Sequence, residues 1–110
     1  MANIFYKLEK ILEERKSATT DQSYVSSLYD KGTDSILEKI REESEEVIQA
    51  ANEEGREEVI HEVADLWFHL LVLLRYENIT IDEIEAELDK RFGISGHDEK
   101  ASERANKFLP

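Results

Sequence analysis

The sequence predicts an all-α fold: an antiparallel helical bundle of about five helices, with a four-helix core completed by dimerisation. Three observations lead there. Apolar residues recur at helical spacing over most of the chain. No segment alternates apolar and polar residues as a strand would. Only four glycines and the final Pro110 interrupt the 110 residues. That length fits a single all-α domain spanning residues 1–110. A domain so short buries a modest core, which a second copy would enlarge.

The first helix carries Ile4, Phe5, Leu8, Ile11 and Leu12 on one face, with Asn3 as its cap, and ends near Lys16. Polar turn formers over residues 17–23 predict a loop. A short helix follows over residues 24–31, stopped by Gly32. The third helix spans residues 34–53. Ile36, Ile40, Val47 and Ala51 mark one apolar line along it, and Leu37 and Ile48 widen that line. Gly55 then breaks the chain. The fourth helix, residues 56–76, is the most apolar segment. Thr80 and Glu83 form a capping box that opens a fifth helix, with Ile81, Ile84 and Leu88 facing inward and Gly93 as its stop. Residues 94–110 make a polar tail with partial helix at best.

Charge narrows the function. Lys and Arg number 14 against 26 Asp and Glu, a formal net charge of −12. Such a chain is repelled by a nucleic-acid backbone, although a metal ion could bridge it to an anionic ligand. With no cysteine, it has no disulfide framework, no thiol chemistry and none of the commonest zinc sites. The first 16 residues are charged throughout and contain no signal-peptide core. The longest apolar run, residues 70–74, is far too short to span a bilayer. A cytoplasmic chain without membrane or nucleic-acid partners is expected.

The informative constellation is acidic. Helix three contains Glu42-Glu43-Ser44-Glu45-Glu46, and Glu43 and Glu46 are three apart, on one face. Helix four contains Glu62-Val63-Ala64-Asp65, with the same spacing between Glu62 and Asp65. The short connection predicts antiparallel packing. Measured from the turn, Glu46 and Glu62 fall at nearly one level, and Glu43 and Asp65 at another, given roughly 1.5 Å of rise per residue. Four carboxylates brought together repel one another unless a cation intervenes. Oxygen-only ligands select Mg²⁺, Mn²⁺ or Ca²⁺, and a site with room for water suits Mg²⁺ bridging to phosphates.

Blander readings weigh against each residue. The glutamates of helix three also fit a solvated face, and Glu62 with Asp65 also fit core salt bridges. The shared level of the two pairs favours the metal. His69 reads as a satisfied core histidine in preference to a partner standing behind a metal ligand, and His61 and His97 read as surface residues. Trp67 and Phe68 read as packing. The apolar residues surrounding the Glu58, Glu62, Asp65 and His69 stripe predict a fourth helix packed on more than one side, as in a bundle closed by a second subunit.

The Glu-Glu-x-x-Glu run at residues 42–46, followed by Glu-x-x-Asp at 62–65, resembles the all-α nucleoside-triphosphate pyrophosphatase superfamily, which includes MazG-like and dimeric dUTPase enzymes. Three further stretches resemble its phosphoribosyl-ATP pyrophosphatase branch. They are Ser23-Tyr24 with Leu28 and Lys31-Gly32, then Ala64-Asp65-Leu66-x-x-His69 with the leucines after it, and Gly93-Ile94-Ser95-Gly96-x-x-Glu99-Lys100. The resemblance implies Mg²⁺-dependent hydrolysis of phosphoribosyl-ATP to phosphoribosyl-AMP and pyrophosphate, the second step of histidine biosynthesis, by a homodimer. It implies Glu43, Glu46, Glu62 and Asp65 as Mg²⁺ ligands, and Lys31, Lys39 and Lys100 as phosphate contacts. Glu42 fills the first acidic position and is the candidate to orient the attacking water. Val25 stands where the branch often has threonine, Ser35 where it often has lysine, and Arg41 where it often has glycine. Two other functions fit the same residues: a house-cleaning pyrophosphatase for altered nucleotides, and a non-enzymatic helical interaction module.

Overall fold

The computed structural model describes residues 3–17 and 23–92. The described residues fall into two compact units, 3–78 and 79–92, and contain no strand. In the first unit, α1 (Ile4–Glu14) opens on Asn3, whose side chain accepts the backbone N–H of Phe5 at 2.8 Å. This pairs one of the amide donors that a helix start leaves unbonded. A single 3₁₀ turn, Arg15–Ser17, follows α1. Ser23 caps α2 (Tyr24–Lys31) by accepting the backbone N–H of Ser26 at 3.3 Å. Gly32 ends α2 with φ +92°, a conformation that a residue with a Cβ takes only under strain. Two hydroxyls pin α2 against the end of α1. Ser26 donates to the Arg15 carbonyl at 2.7 Å, and Tyr29 donates to the Leu12 carbonyl at 3.1 Å.

The third helix ends sooner than periodicity predicts. α3 covers Thr33–Gln49, and Ala50–Glu54 then wind as a π-helical turn. The wider turn closes with the Gly55 N–H donating to the Ala50 carbonyl, five residues back, at 3.2 Å. Gly55 adopts φ +101° in open space, so its role is conformational freedom and not close approach. The change of winding places Ala50, and not the expected Ala51, in the core. α4 (Arg56–Tyr76) then returns along α3, and these two helices share the most extensive interface among the described elements.

The core of this unit gathers Leu12, Leu28, Ile36, Ala50, Leu71 and Val72. Each large aliphatic buried there contributes about 1.5–3 kcal/mol. Arg75, near the end of α4, reaches Glu9 at 3.9 Å and Glu13 at 3.7 Å on α1. α1 and α4 are thereby tied at one end, which leaves the α3–α4 hairpin to carry the acidic residues at mid-length.

In the second unit, α5 (Ile81–Phe92) opens with the capping box. The Glu83 carboxylate accepts the Thr80 N–H at 2.7 Å, and the Thr80 hydroxyl oxygen accepts the Glu83 N–H at 3.1 Å. Ile81 is buried, but Ile84 and Leu88 are exposed, contrary to expectation. Among the described residues of this unit, α5 is the one helix, with no second element to cover its apolar stripe. The predicted stop at Gly93 and the polar tail lie outside the described residues. No helix among the described residues is long and apolar enough to cross a membrane.

Candidate active site

The α3–α4 hairpin brings the acidic pairs together. One carboxylate oxygen each from Glu43, Glu46 and Glu62 lies within 4.8 Å of the others. Glu62 and Asp65 form a second such group with His61. Glu62 belongs to both, and Asp65 is near enough to Glu43 to shift its titration, so the four carboxylates form one cluster. Their settings differ. Glu43 is buried, at 8% exposure, whereas Glu46 is exposed. The Glu62 side chain is 14% exposed. A cleft of about 280 Å³ extends from the cluster toward the hairpin turn, lined by Glu46, Gln49, Glu54, Glu58 and Glu62.

The electrostatics are those of crowded carboxylates. A hydrogen-bonding contact with Glu46, then burial and the charges of Glu46 and Asp65, push Glu62 from 4.5 up to about 7, against the lowering pull of His61. Burial, then contact with Glu46 and the charges of Glu46 and Asp65, raise Glu43 as well. Glu43 Oε2 and Glu62 Oε2 are buried with no hydrogen-bond partner. Unpaired buried carboxylate oxygens are costly, and a cation between them removes the cost. The donors are almost all hard oxygens, with one imidazole at the edge. The set therefore fits a hard divalent ion such as Mg²⁺.

Around the cluster lies a polar rim. Lys39 pairs with the exposed Glu42 at 3.3 Å. Glu42 is outside both ligand groups, one helical position from the buried Glu43. Behind the cluster, His69 is buried. Its Nδ1 lies 2.8 Å from the Asp65 carbonyl oxygen, and its Nε2 lies 3.0 Å from the Tyr24 hydroxyl.

Carboxylates projecting inward from facing helices are a recurrent way for helical bundles to hold metal ions. The family described as Phosphoribosyl-ATP pyrophosphohydrolase matches residues 5–92. The chain is 59% identical over 101 residues to the phosphoribosyl-ATP pyrophosphatase of Ruthia magnifica subsp. Calyptogena magnifica, covering 92% of this chain and 96% of that one. It is 50% identical over 100 residues to the protein of that name from Geobacter metallireducens, covering 91% and 92%. It is 45% identical over 108 residues to the one from Hydrogenovibrio crunogenus, covering 94% and 96%.

The chain belongs to the phosphoribosyl-ATP pyrophosphohydrolase family. As a member of that family it is an enzyme, a hydrolase. The all-α fold and the family resemblance expected from the sequence both hold. The matched region takes in the described elements from α1 to α5 except Ile4, the first residue of α1, and the whole carboxylate cluster with them.

Within this family member, the sequence-predicted site residues divide. Glu43, Glu46, Glu62 and Asp65 converge, and Lys39 stands at their rim beside Glu42. Lys31 is exposed at the last residue of α2. Lys100 and His97 lie outside the described residues. His69 is the satisfied buried histidine that was expected, with both ring nitrogens engaged. His61 is exposed, as a surface residue should be, yet its Nε2 lies 3.5 Å from Asp65 Oδ2 and 3.9 Å from Glu62 Oε1. The signal that could have found it is its four-residue spacing from Asp65, which puts both on one helix face. Tyr24 was visible only as part of a motif, because its hydrogen-bond partner His69 lies on another helix. Trp67 packs on Phe5 with ring centroids 5.2 Å apart, yet stays 50% exposed.

Proposed function

We propose that this chain is a Mg²⁺-dependent phosphoribosyl-ATP pyrophosphatase that hydrolyses phosphoribosyl-ATP to phosphoribosyl-AMP and pyrophosphate, the second step of histidine biosynthesis. The observation that carries the reading is the pair of buried, unpartnered carboxylate oxygens on Glu43 and Glu62, which converge with Glu46 in a chain of this family. The names of relatives that match more than nine-tenths of the chain support the substrate.

In this reading Glu43, Glu46, Glu62 and Asp65 hold Mg²⁺. When bound, the ion neutralises phosphate charge and acidifies a nearby water. Glu42 lies at the rim, free of the ligand groups, and its carboxylate orients the attacking water and takes its proton. The water oxygen enters at the α–β anhydride, and the anhydride oxygen leaves with pyrophosphate. Lys39, with Lys31 and Lys100, supplies positive charge to the phosphates. Their charge matters because an acidic chain otherwise repels its polyanionic substrate.

The active form in this reading is a cytoplasmic homodimer. Ile60, Trp67 and Leu70 on α4 and Ile48 on α3 are exposed in the single chain. An apolar groove lined by Ile4, Phe5, Leu8, Ala64, Trp67, Phe68 and Leu71 adds about 320 Å³ beside them. Surfaces of this kind are normally covered in a stable protein.

The test of substrate is pyrophosphate release from phosphoribosyl-ATP, ATP and dUTP in the presence of Mg²⁺. Release from phosphoribosyl-ATP with little from the others is expected. Preferential release from ATP or dUTP would assign the same site to nucleotide house-cleaning instead.

A further inference from the structure

α4 places a ring nitrogen beside two of the clustered carboxylates. His61 and Asp65 are four residues apart on this helix, so they share one face, and Glu62 adjoins them. His61 Nε2 lies 3.5 Å from Asp65 Oδ2 and 3.9 Å from Glu62 Oε1. Both separations are longer than a hydrogen bond, and an exposed ion pair of such length contributes little. Ligands that stand about 2.1 Å from one ion are about 3.0 Å apart at a right angle and about 4.2 Å apart across it. Both separations fall within that span. One nitrogen and two oxygens therefore already have the spacing of a single coordination shell.

This group is joined to the all-oxygen one through Glu62. Glu43, Glu46 and Glu62 make an inner set, and Glu62, Asp65 and His61 an outer one. Glu62 Oε1 is the oxygen near His61, whereas its Oε2 is buried with no hydrogen-bond partner. Glu43, at 8% exposure, holds a second unpartnered oxygen in the inner set. These orphaned oxygens point to a cation independently of His61. A carboxylate that belongs to both sets can bridge two ions, as in two-metal sites for phosphate chemistry. The donors separate the sets: oxygen alone suits Mg²⁺, whereas an imidazole suits ions such as Co²⁺ or Zn²⁺. His61 is exposed, so the outer position opens to solvent and to an incoming ligand.

We propose that His61 is a metal ligand: its Nε2, with Asp65 and Glu62, forms an outer cation position that takes a nitrogen-preferring divalent ion of the Co²⁺ or Zn²⁺ kind beside the inner Mg²⁺. The proposal rests on the metal site of the function proposed above and adds one ligand and one ion to it. His61 lies outside the core, so His61→Ala leaves the fold intact, which an unchanged melting temperature in EDTA checks. Should that temperature fall, His61→Gln takes its place, since it keeps a polar side chain but is a poor ligand for these ions.

Co²⁺ is the probe, because it is paramagnetic. In excess Mg²⁺, the wild-type full chain should bind one Co²⁺ per chain by calorimetry. Its proton spectrum should then show a strongly shifted imidazole N–H resonance that disappears in D₂O. His61→Ala should lose that resonance and bind Co²⁺ at least about tenfold more weakly, the least that loss of a supporting group costs a metal site. Its stabilisation by Mg²⁺ alone should equal that of wild type. Equal Co²⁺ affinity in both proteins, or a resonance that persists in His61→Ala, overturns the proposal and leaves the Mg²⁺ site standing. Equal losses of the Co²⁺ and Mg²⁺ responses also overturn it, because His61 would then act on the whole cluster. A wild type that responds to neither ion contradicts the metal site itself, and the proposal with it.

Discussion

Glu46 on α3 and Glu62 on α4 face each other across the hairpin with carboxylate oxygens within 4.8 Å, and their contact is the largest cause of the Glu62 pKa of about 7. Protonation of Glu62 would relieve the same repulsion that a cation relieves. If Mg²⁺ is the proper occupant, removing the Glu62 charge should stabilise the metal-free chain and abolish its response to the ion. Wild type should therefore gain about 2.7 kcal/mol at a Mg²⁺ concentration a hundredfold above Kd. Glu62→Gln should melt higher than wild type in EDTA and gain nothing from Mg²⁺. Thermal unfolding of both proteins, with and without the ion, checks this, and equal Mg²⁺ responses would refute it.

Asp65 supplies charge from the α4 side of the cluster, 3.5 Å from His61. Asp65→Asn keeps the shape and removes one negative donor. Hydrolysis should fall by about a hundredfold or more, the loss typical when one preorganised electrostatic group leaves a site. The circular dichroism of the folded chain should not change. Turnover near that of wild type would remove Asp65 from the metal site.

Tyr29 gives a pH signature far from the site. Burial, then the charge of Glu13, raises its hydroxyl from 10.0 to about 12, and its proton is donated to the Leu12 carbonyl. The unfolded chain releases this proton near pH 10 and the folded chain only near 12. Between those values the unfolded state binds fewer protons, so stability falls as pH rises. The Tyr29 contribution is whole below pH 10 and lost by about 12. Denaturant melts across that window should show the decline in wild type and a shallower one in Tyr29→Phe. Parallel slopes would contradict the assignment.

Gly55 tests the turn that sets the register of the carboxylates. A Cβ there meets nothing, but φ is +101°. Gly55→Ala should cost about 1–2 kcal/mol through backbone strain alone. An unchanged unfolding midpoint would mean the turn relaxes without penalty.

Much of this was legible in the sequence. Asn3, Ser23, Gly32 and the Thr80–Glu83 box act locally, so each helix boundary they set could be read from neighbours in the chain. The level of Glu46 with Glu62 followed from helical rise and a short turn. The π turn was not legible, because Ala50-Ala51-Asn52-Glu53-Glu54 contains no residue that forbids ordinary helix. The outward face of Ile84 and Leu88 was missed because periodicity reveals an apolar stripe but not which surface covers it. Tyr24 needed the fold itself, since its partner His69 lies on α4.

The most direct test of the account is pyrophosphate release from phosphoribosyl-ATP by the wild-type chain, measured with Mg²⁺ and again with excess EDTA. The account predicts release with Mg²⁺ that EDTA abolishes and added Mg²⁺ restores. Release that persists undiminished in EDTA, or no release under either condition, would contradict it.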